Sequence, residues 1–252
     1  MKQFTKKYFG FLTLLRYSWT IIKHPRLLRS FFEFRKQVIG GGTKPLFSDF
    51  SPCVHDKTTN TNFDTHYIYH PAWATRAVKK INPGKHIDIS STLHFSTQLS
   101  AFITTEFYDF RPANLNLSDL SSASADLCNL HFPDDSIDSL SCMHTVEHIG
   151  LGRYGDPIDP GGDMKAMKEL QRVLKKNGNL LFVVPVGKPK IQFNAHRVYS
   201  YEQIINQFDQ LHLVEFSLIP DNAGETGILL NADPRLVKDQ NYGCGCFWFK
   251  KG

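Results

Sequence analysis

Apolar and polar positions change in short, regular blocks from residue 66 to the end of the chain, and each block fits a strand or a helix. Short apolar runs predict strands at residues 86–89, 106–110, 139–143, 180–184, 212–219 and 245–250. Helical spacing of apolar residues predicts helices at residues 70–80, 95–102, 164–176 and 201–208. Strands that alternate with helices are typical of a parallel sheet with right-handed crossovers. We therefore predict a doubly wound, mostly parallel α/β domain over residues 66–252.

The first 44 residues follow a different pattern, in which basic and aromatic side chains are interleaved. Residues 1–36 hold nine Lys or Arg, nine aromatic residues and a single acid, Glu33. This mixture is typical of an amphipathic helical segment on an anionic membrane surface. A helical cap whose aromatic face packs on the domain is the alternative. Three glycines at residues 40–42 end the segment, and residues 45–65 read as a polar loop.

Charge and cysteine content narrow the functional class. The net charge of +5 comes from the N-terminal segment, because the rest of the chain holds 20 basic and 23 acidic residues, so nucleic-acid binding by the domain is not expected. The five cysteines are odd in number and form no C-x-x-C pair, which indicates reduced thiols in a cytoplasmic protein. We expect attachment at the inner face of a membrane if the N-terminal segment binds lipid. Residues 8–15 form the longest uncharged run there, far short of the roughly 20 apolar residues of a membrane span.

The stretch His144–Pro157, "HTVEHIGLGRYGDP", fits two short motifs that its context argues against. The H-x-x-E-H motif of an inverted zinc protease needs one long helix, but His144 follows a strand directly and glycines begin at Gly150. The G-x-G-x-x-G motif does not leave a strand and opens a loop. The C-x-C pair at residues 244 and 246 is interpreted as part of a terminal strand. It offers only two ligands, whereas zinc usually needs four. We therefore predict no metal site and no dinucleotide site.

A third interpretation comes from the residues around this stretch. The text "ADLCNLHFPDDSIDSLSCMHTVEHI", followed by "MKELQRVLKKNGNLLFVVPV", resembles the core of class I S-adenosylmethionine-dependent methyltransferases over roughly residues 88–185. The phrases "EHIGLGRYGDPIDPGGD", "KELQRVLKKNGNL" and "FNAHRVYS" are more similar still to the DUF268 family. The resemblance implies a Rossmann-like methyltransferase fold with S-adenosylmethionine as cofactor.

Candidate cofactor residues follow from this resemblance and from the predicted strand ends. Asp109 ends the second strand, where a carboxylate can accept both ribose hydroxyls, although it could instead pair with Arg111. Asp126, with Leu127, matches the acid near the adenine amino group, although Asp126 could instead cap the following turn. Asp88 matches the acid of the family's D-x-G-x-G turn. We assign Asp88, Ser90, Asp109, Asp126 and Leu127 to cofactor binding.

The first turn departs from the methyltransferase pattern. Ser90, Ser91 and Thr92 stand where the family has glycines, and their side chains occupy space that the amino-acid end of the cofactor would use. Two functions therefore compete. The first is a methyltransferase that acts on a polar, glycan-type acceptor, and the second is a catalytically lapsed binding or scaffold protein.

Candidate acceptor residues lie after the fourth and fifth predicted strands. His144 and His196 are the candidate catalytic bases, whereas His148 reads as a framework residue. Five further residues could bind a sugar or a phosphorylated acceptor, namely Arg153, Tyr154, Asp156, Asn194 and Arg197. A pair between Arg153 and Asp156 that only fixes the loop is the alternative for those two residues.

Overall fold

The computed structural model describes residues 17–38 and 42–252, and it divides the chain into two compact units with a boundary between Asn62 and Phe63. The predicted N-terminal segment lies partly outside the described residues, because residues 1–16 and 39–41 are not among them. In the first unit, residues 17–23 are helical, helix α1 spans Pro25–Gln37, and a 3-10 turn spans Phe47–Asp49. No helix of the described residues has the length and apolar character needed to cross a membrane.

Aromatic rings organise the first unit. The ring of Phe31 packs edge-on against Phe47 at 5.8 Å and Phe50 at 5.4 Å between centroids. Helix α1 has no fully buried residue, and it leaves Phe32 and Phe34 largely exposed. Among the described residues of this unit, the rings of Phe31, Phe47 and Phe50 therefore pack together.

The second unit is built on a seven-stranded sheet, which confirms the predicted fold class. Its strand order is β3-β2-β1-β4-β5-β9-β8, and β9 alone runs in the direction opposite to the other six strands. A separate hairpin pairs β6 with β7. The strands are β1 (Lys85–Asp88), β2 (Thr104–Asp109), β3 (Leu120–Ser124), β4 (Ile137–Met143), β5 (Leu174–Val186), β6 (Lys190–Gln192), β7 (His196–Val198), β8 (Leu211–Ile219) and β9 (Gly243–Lys251).

Helices cover both faces of the sheet. On one face, Met167 and Leu170 pack with Ile204 against the core side chains of β4, β5 and β9. On the other face, Trp73 and Phe95 pack with neighbouring core residues of β4, β5 and β9. The helices are α2 (Thr65–Ile81), α3 (Leu93–Leu99), α4 (Gly162–Val173), α5 (Tyr201–Gln207) and α6 (Ala223–Thr226), with 3-10 turns at Val146–His148 and Pro234–Asp239.

Several elements begin or end elsewhere than the sequence pattern predicts, and two of these differences have a clear physical cause. Helix α2 begins at Thr65, five residues before the predicted start at residue 70, because the Asp64 side chain caps it by accepting from the Tyr67 amide at 3.1 Å. Helix α4 ends at Val173 and passes directly into β5, whereas the prediction extended the helix to residue 176. Leu174 leaves the helix because it pairs with Ile137 of β4.

Candidate functional site

A cleft of about 290 Å³ opens at the carboxyl edge of the sheet, where the strand order reverses between β1 and β4. Ligands of doubly wound sheets bind at this switch point. The floor and walls are mainly apolar and come from the ends of β1 and β2, the segment after β3 and the loop after β4. The side chains that line it include Ser91, Asp109, Asp126, Leu127, His148 and Tyr154.

Asp109 ends β2 at the rim of the cleft. Its Oδ1 accepts from the Arg111 amide at 2.7 Å, and its second oxygen has no partner among the described residues. The Arg111 guanidinium lies instead over the Tyr154 ring, 4.7 Å from its centroid. The alternative role of Asp109 therefore involves only the backbone of Arg111, and a carboxylate oxygen remains available to a ligand.

Asp126 and Leu127 line the same cleft from the segment after β3. Oδ1 of Asp126 accepts from the Cys128 amide at 2.8 Å, so this side chain does cap the turn that follows it. Leu127 is buried and contributes an apolar wall. The capping bond uses one oxygen of Asp126 and leaves the other for a ligand.

Asp88 and Ser90 lie behind the cleft, not on its surface. Asp88 is fully buried, and its carboxylate accepts from the hydroxyls of Ser90, Ser96 and Ser141. Burial raises the pKa of Asp88 to about 6, although these three donors oppose the shift. Both residues therefore hold the end of β1 in place, and the structure brings neither into the lining of the cleft.

The turn after β1 needs no glycine. The Met143 amide donates to Ser90 Oγ at 3.1 Å, and the Ser91 amide donates to the Met143 carbonyl at 3.2 Å. None of residues 88–92 has a positive φ angle, so no position in this turn favours glycine. Ser91 alone of the Ser90, Ser91 and Thr92 group lines the cleft.

His144 lies in a buried cluster that the sequence did not reveal, made of His66, His70, His144, Glu147 and Cys244, hereafter the histidine cluster. Its Nδ1 is 2.8 Å from Glu147 Oε1, and its Nε2 is 3.5 Å from Cys244 Sγ. The rings of His66 and His70 lie 5.4 and 4.9 Å from that of His144. Histidines at positions 66 and 70 of one helix face were the available sequence signal, since i, i+4 residues share a face.

His148 is the imidazole that lines the cleft. Its Nδ1 is 2.6 Å from the Ala195 carbonyl oxygen, which can only accept, so Nδ1 carries the proton and Nε2 presents a lone pair. His196 instead contacts the Tyr242 ring at 4.8 Å, and burial lowers its pKa. Of the two predicted catalytic histidines, neither His144 nor His196 lines the cleft.

The loop between β4 and α4 closes one side of the cleft. Asp156 accepts from the amides of Gly150, Gly152 and Tyr154 at 2.8, 3.3 and 3.1 Å, so its carboxylate shapes the loop. The predicted alternative, a pair between Arg153 and Asp156, does not form among the described residues. Tyr154 and Asp156 both line the cleft.

The remaining predicted acceptor residues are placed apart from one another. Arg197 is buried and donates to the carbonyls of Ile149 at 2.7 Å and Pro160 at 3.4 Å, so it pins the loop. Arg153 is exposed and donates to the Ala195 carbonyl at 3.1 Å. Asn194 is exposed in the turn between β6 and β7. The structure thus brings Tyr154 to the cleft and leaves Arg197 and Asn194 outside it.

Comparisons with solved structures give matches of low sequence identity. A putative methyltransferase from Haloferax volcanii, in complex with its activator, is 17% identical over 74% of this chain and 90% of that chain, with a TM-score of 0.49. A possible histamine N-methyltransferase from Thermotoga maritima is 16% identical over 75% and 92%, with a TM-score of 0.48. The N-methyltransferase NodS from Bradyrhizobium japonicum, bound to S-adenosyl-L-homocysteine, is 13% identical over 71% and 86%, with a TM-score of 0.49.

Comparison with protein families gives one match. A search of curated proteins finds no match to this chain. The family model described as "Caenorhabditis protein of unknown function, DUF268" matches residues 103–216, which run from just before β2 into β8. This match covers the loop and the NAHR segment that carried the resemblance in the sequence. Over residues 103–216, the chain is therefore similar to the DUF268 family.

Proposed function

We propose that this chain is an S-adenosylmethionine-dependent methyltransferase. The observation that carries the proposal is the placement of Asp109 and Asp126 on one largely apolar cleft at the switch point of the sheet. A nucleoside presents a ribose diol, a polar base edge and a flat apolar ring. Two carboxylates beside an apolar floor fit that combination.

The residues of the cleft fit the cofactor without the missing glycines. Asp109 would hold the ribose hydroxyls, Asp126 the adenine amino group, and Leu127 one face of the ring. Ser91 would face the amino-acid end, and its backbone is already fixed by Met143. When bound, S-adenosylmethionine supplies an electrophilic methyl group, and the chain need only orient the acceptor and remove its proton.

We assign the proton-accepting role to His148, because it alone of His144, His148 and His196 lines the cleft. Its Nε2 lone pair can take a proton from a hydroxyl, and Glu147 Oε1 lies 3.9 Å from that nitrogen. Tyr154 and the exposed Arg153 beside it suit a polar acceptor of the glycan type.

Calorimetry on the full chain tests the cofactor assignment. Asp109→Ala should bind S-adenosylmethionine about 10- to 150-fold more weakly than wild type, since a charge-assisted hydrogen bond contributes about 1.5–3 kcal/mol. The matched control is Asp138→Ala, an exposed aspartate near the opposite end of β4 that pairs with Lys175 at 3.1 Å. It should bind as wild type does.

A negative result would favour the competing function. If wild type binds neither S-adenosylmethionine nor S-adenosylhomocysteine, the chain is a lapsed methyltransferase-like binding or scaffold protein. Equal affinity of wild type and Asp109→Ala would keep the cofactor and remove Asp109 from its site.

We further propose that the first unit attaches to an anionic membrane surface. Helix α1 leaves Phe32 and Phe34 exposed at 46% and 59%, which supports insertion of these rings among lipid headgroups. Basic side chains on the same helix would contact anionic lipid at about 1 kcal/mol each near the surface. They are Arg26, Arg29, Arg35 and Lys36.

Vesicle flotation tests the attachment. In the double variant Phe32→Ser and Phe34→Ser, the affinity for anionic vesicles should fall at least about 10-fold. Each ring contributes about 1.5–3 kcal/mol when it is buried. The matched control changes two exposed rings of the second unit, Phe102→Ser and Phe193→Ser, and should float as wild type does. Equal flotation of all three proteins, or equal binding to uncharged vesicles, contradicts the proposal.

A further inference from the structure

Three potential metal ligands of the histidine cluster converge from elements far apart in sequence. His66 comes from the first turn of α2, His144 follows β4, and Cys244 is the second residue of β9. Their ligand atoms all lie within 4.8 Å of one another, and all three side chains are buried. Two imidazoles and a thiol so placed offer nitrogen and sulfur donors. Borderline transition ions bind such donors well, whereas Mg²⁺ and Ca²⁺ prefer oxygen donors.

The spacing of two of these atoms already fits a tetrahedral ion. Bonds of about 2.05 Å to nitrogen and 2.3 Å to sulfur, at a tetrahedral angle, place the two donor atoms about 3.6 Å apart. Nε2 of His144 lies 3.5 Å from Sγ of Cys244. This edge of the coordination shell therefore needs almost no rearrangement.

His144 is oriented as a metal-binding histidine usually is. Its Nδ1 faces Glu147 Oε1 at 2.8 Å, so the carboxylate fixes the tautomer with the proton on Nδ1 and the lone pair on Nε2. His144 also has a φ angle of 52°, a left-handed conformation that few residues other than glycine adopt. The backbone and Glu147 together aim Nε2 at Cys244.

Polar atoms in the histidine cluster lack partners, and a cation would balance its charge. Glu147 Oε2 and His70 Nε2 are buried without a hydrogen bond among the described residues. Glu147 is the only acid of the cluster. A divalent ion, a Cys244 thiolate and the Glu147 carboxylate sum to zero charge, which removes the penalty for burying any of them alone.

A reactive cysteine explains the same contacts less well. The contacts also resemble those of a catalytic triad, with Cys244 as the nucleophile, His144 as the base and Glu147 as the acid that orients it. Cys244, however, is fully buried and does not line the cleft, so no substrate carbon reaches its sulfur. An ion is small enough to enter beside His66, which is flanked by the part-exposed Tyr67 and Tyr242.

We propose that His66, His144 and Cys244 form a binding site for a divalent transition ion of the zinc class, with Glu147 as the positioning residue for His144. Binding forms bonds from the ion to two imidazole nitrogens and to the Cys244 sulfur, and the thiol proton leaves to solvent. Water completes the fourth position. Only the first histidine of the "HTVEH" motif takes part, so this is not a protease site, and it departs from the sequence prediction of no metal.

Metal titration of the chelator-treated full chain tests the site with Zn²⁺ and Co²⁺ as probes. Wild type should take up one Zn²⁺ per chain. With Co²⁺ it should show a thiolate-to-metal charge-transfer band together with the d–d bands of a tetrahedral ion. Cys244→Ser should lose that band. Glu147→Gln should keep the band and bind Zn²⁺ about 10- to 100-fold more weakly, as loss of such a carboxylate usually does.

The matched control is Cys142→Ser, a buried cysteine of β4 that packs on the opposite face of the sheet from Cys244. It should bind Zn²⁺ and Co²⁺ as wild type does. Absence of the Co²⁺ thiolate band in wild type overturns the proposal even if the variants fold poorly. Wild-type Zn²⁺ affinity in a folded Cys244→Ser protein overturns it as well.

Discussion

Two aspartates end neighbouring parallel strands of the sheet and have opposite surroundings. Asp88, the last residue of β1, is buried and accepts from three serine hydroxyls, two of which come from other elements. Asp109, the last residue of β2, is half-buried and accepts from one backbone amide at 2.7 Å. The closed end of β1 stabilises the fold, whereas the open end of β2 leaves a carboxylate oxygen for a ligand.

The difference shows that a strand end does not decide what its residue does. The turn after β1 folds back onto β4 through the contacts of Ser90 with Met143, and this closes the space around Asp88. After β2, Phe110 and Arg111 are exposed, and the chain leaves Asp109 at the rim. The direction of the following turn therefore separates a buried structural acid from one that is left open to the cleft.

Substitution of the two aspartates should differ most in its effect on the free energy of unfolding. Asp88→Ala should lower the free energy of unfolding by about 2–4 kcal/mol, because several buried hydroxyls lose their acceptor and a cavity forms. Asp109→Ala should lower it by only about 1 kcal/mol or less, because it loses a single hydrogen bond, from the Arg111 amide. Urea unfolding of both variants measures the difference. Equal losses would show that the two strand ends are alike.

A smaller expected effect is the pH dependence of the contribution that Asp88 makes to stability. Because its pKa rises from 3.8 to about 6 on folding, its contribution is fully present below pH 3.8 and is lost as pH rises through about 6. Burial lowers the pKa of nearby His86 to about 3, which acts in the opposite direction. We therefore expect the stability of wild type, measured relative to Asp88→Asn, to fall by on the order of 2–3 kcal/mol between pH 4 and 6.

The two unfolding curves should be compared at each pH in one buffer series. His86 is present in both proteins, so its effect cancels in the difference to first order. A constant difference across this pH range would mean that Asp88 keeps its ordinary pKa in the folded chain.

Much of the fold could be predicted because its core strands and helices have clear periodicity. The predicted strand at residues 139–143 lies within β4, and the predicted helix at residues 201–208 matches α5 within one residue. Strand β3 escaped prediction because Leu120–Ser124 is mostly polar and lies at the sheet edge, where burial does not select apolar residues. Periodicity reports burial, and an exposed edge strand lacks that signal.

The site was predictable where its residues follow strand ends and not where they meet across the fold. Asp109, Asp126 and Leu127 line the cleft as the resemblance implied, though their role in cofactor binding stays a prediction. Cys244 contacts His144, which lies 100 residues earlier in the chain. No local spacing of residues predicts such a contact. His148 and His144 exchanged expected positions because a left-handed residue at the strand end turns His144 inward.

The loop between β4 and α4 is fixed before a ligand binds, and this should affect the rate at which a ligand associates. Buried Arg197 holds the carbonyls at both ends of this loop, Ile149 and Pro160, while Asp156 holds three amides within it. The conformational entropy of ordering these residues is therefore lost when the chain folds, not when a ligand arrives. A ligand meets a preorganised wall, so its association should be a single step whose rate grows linearly with ligand concentration.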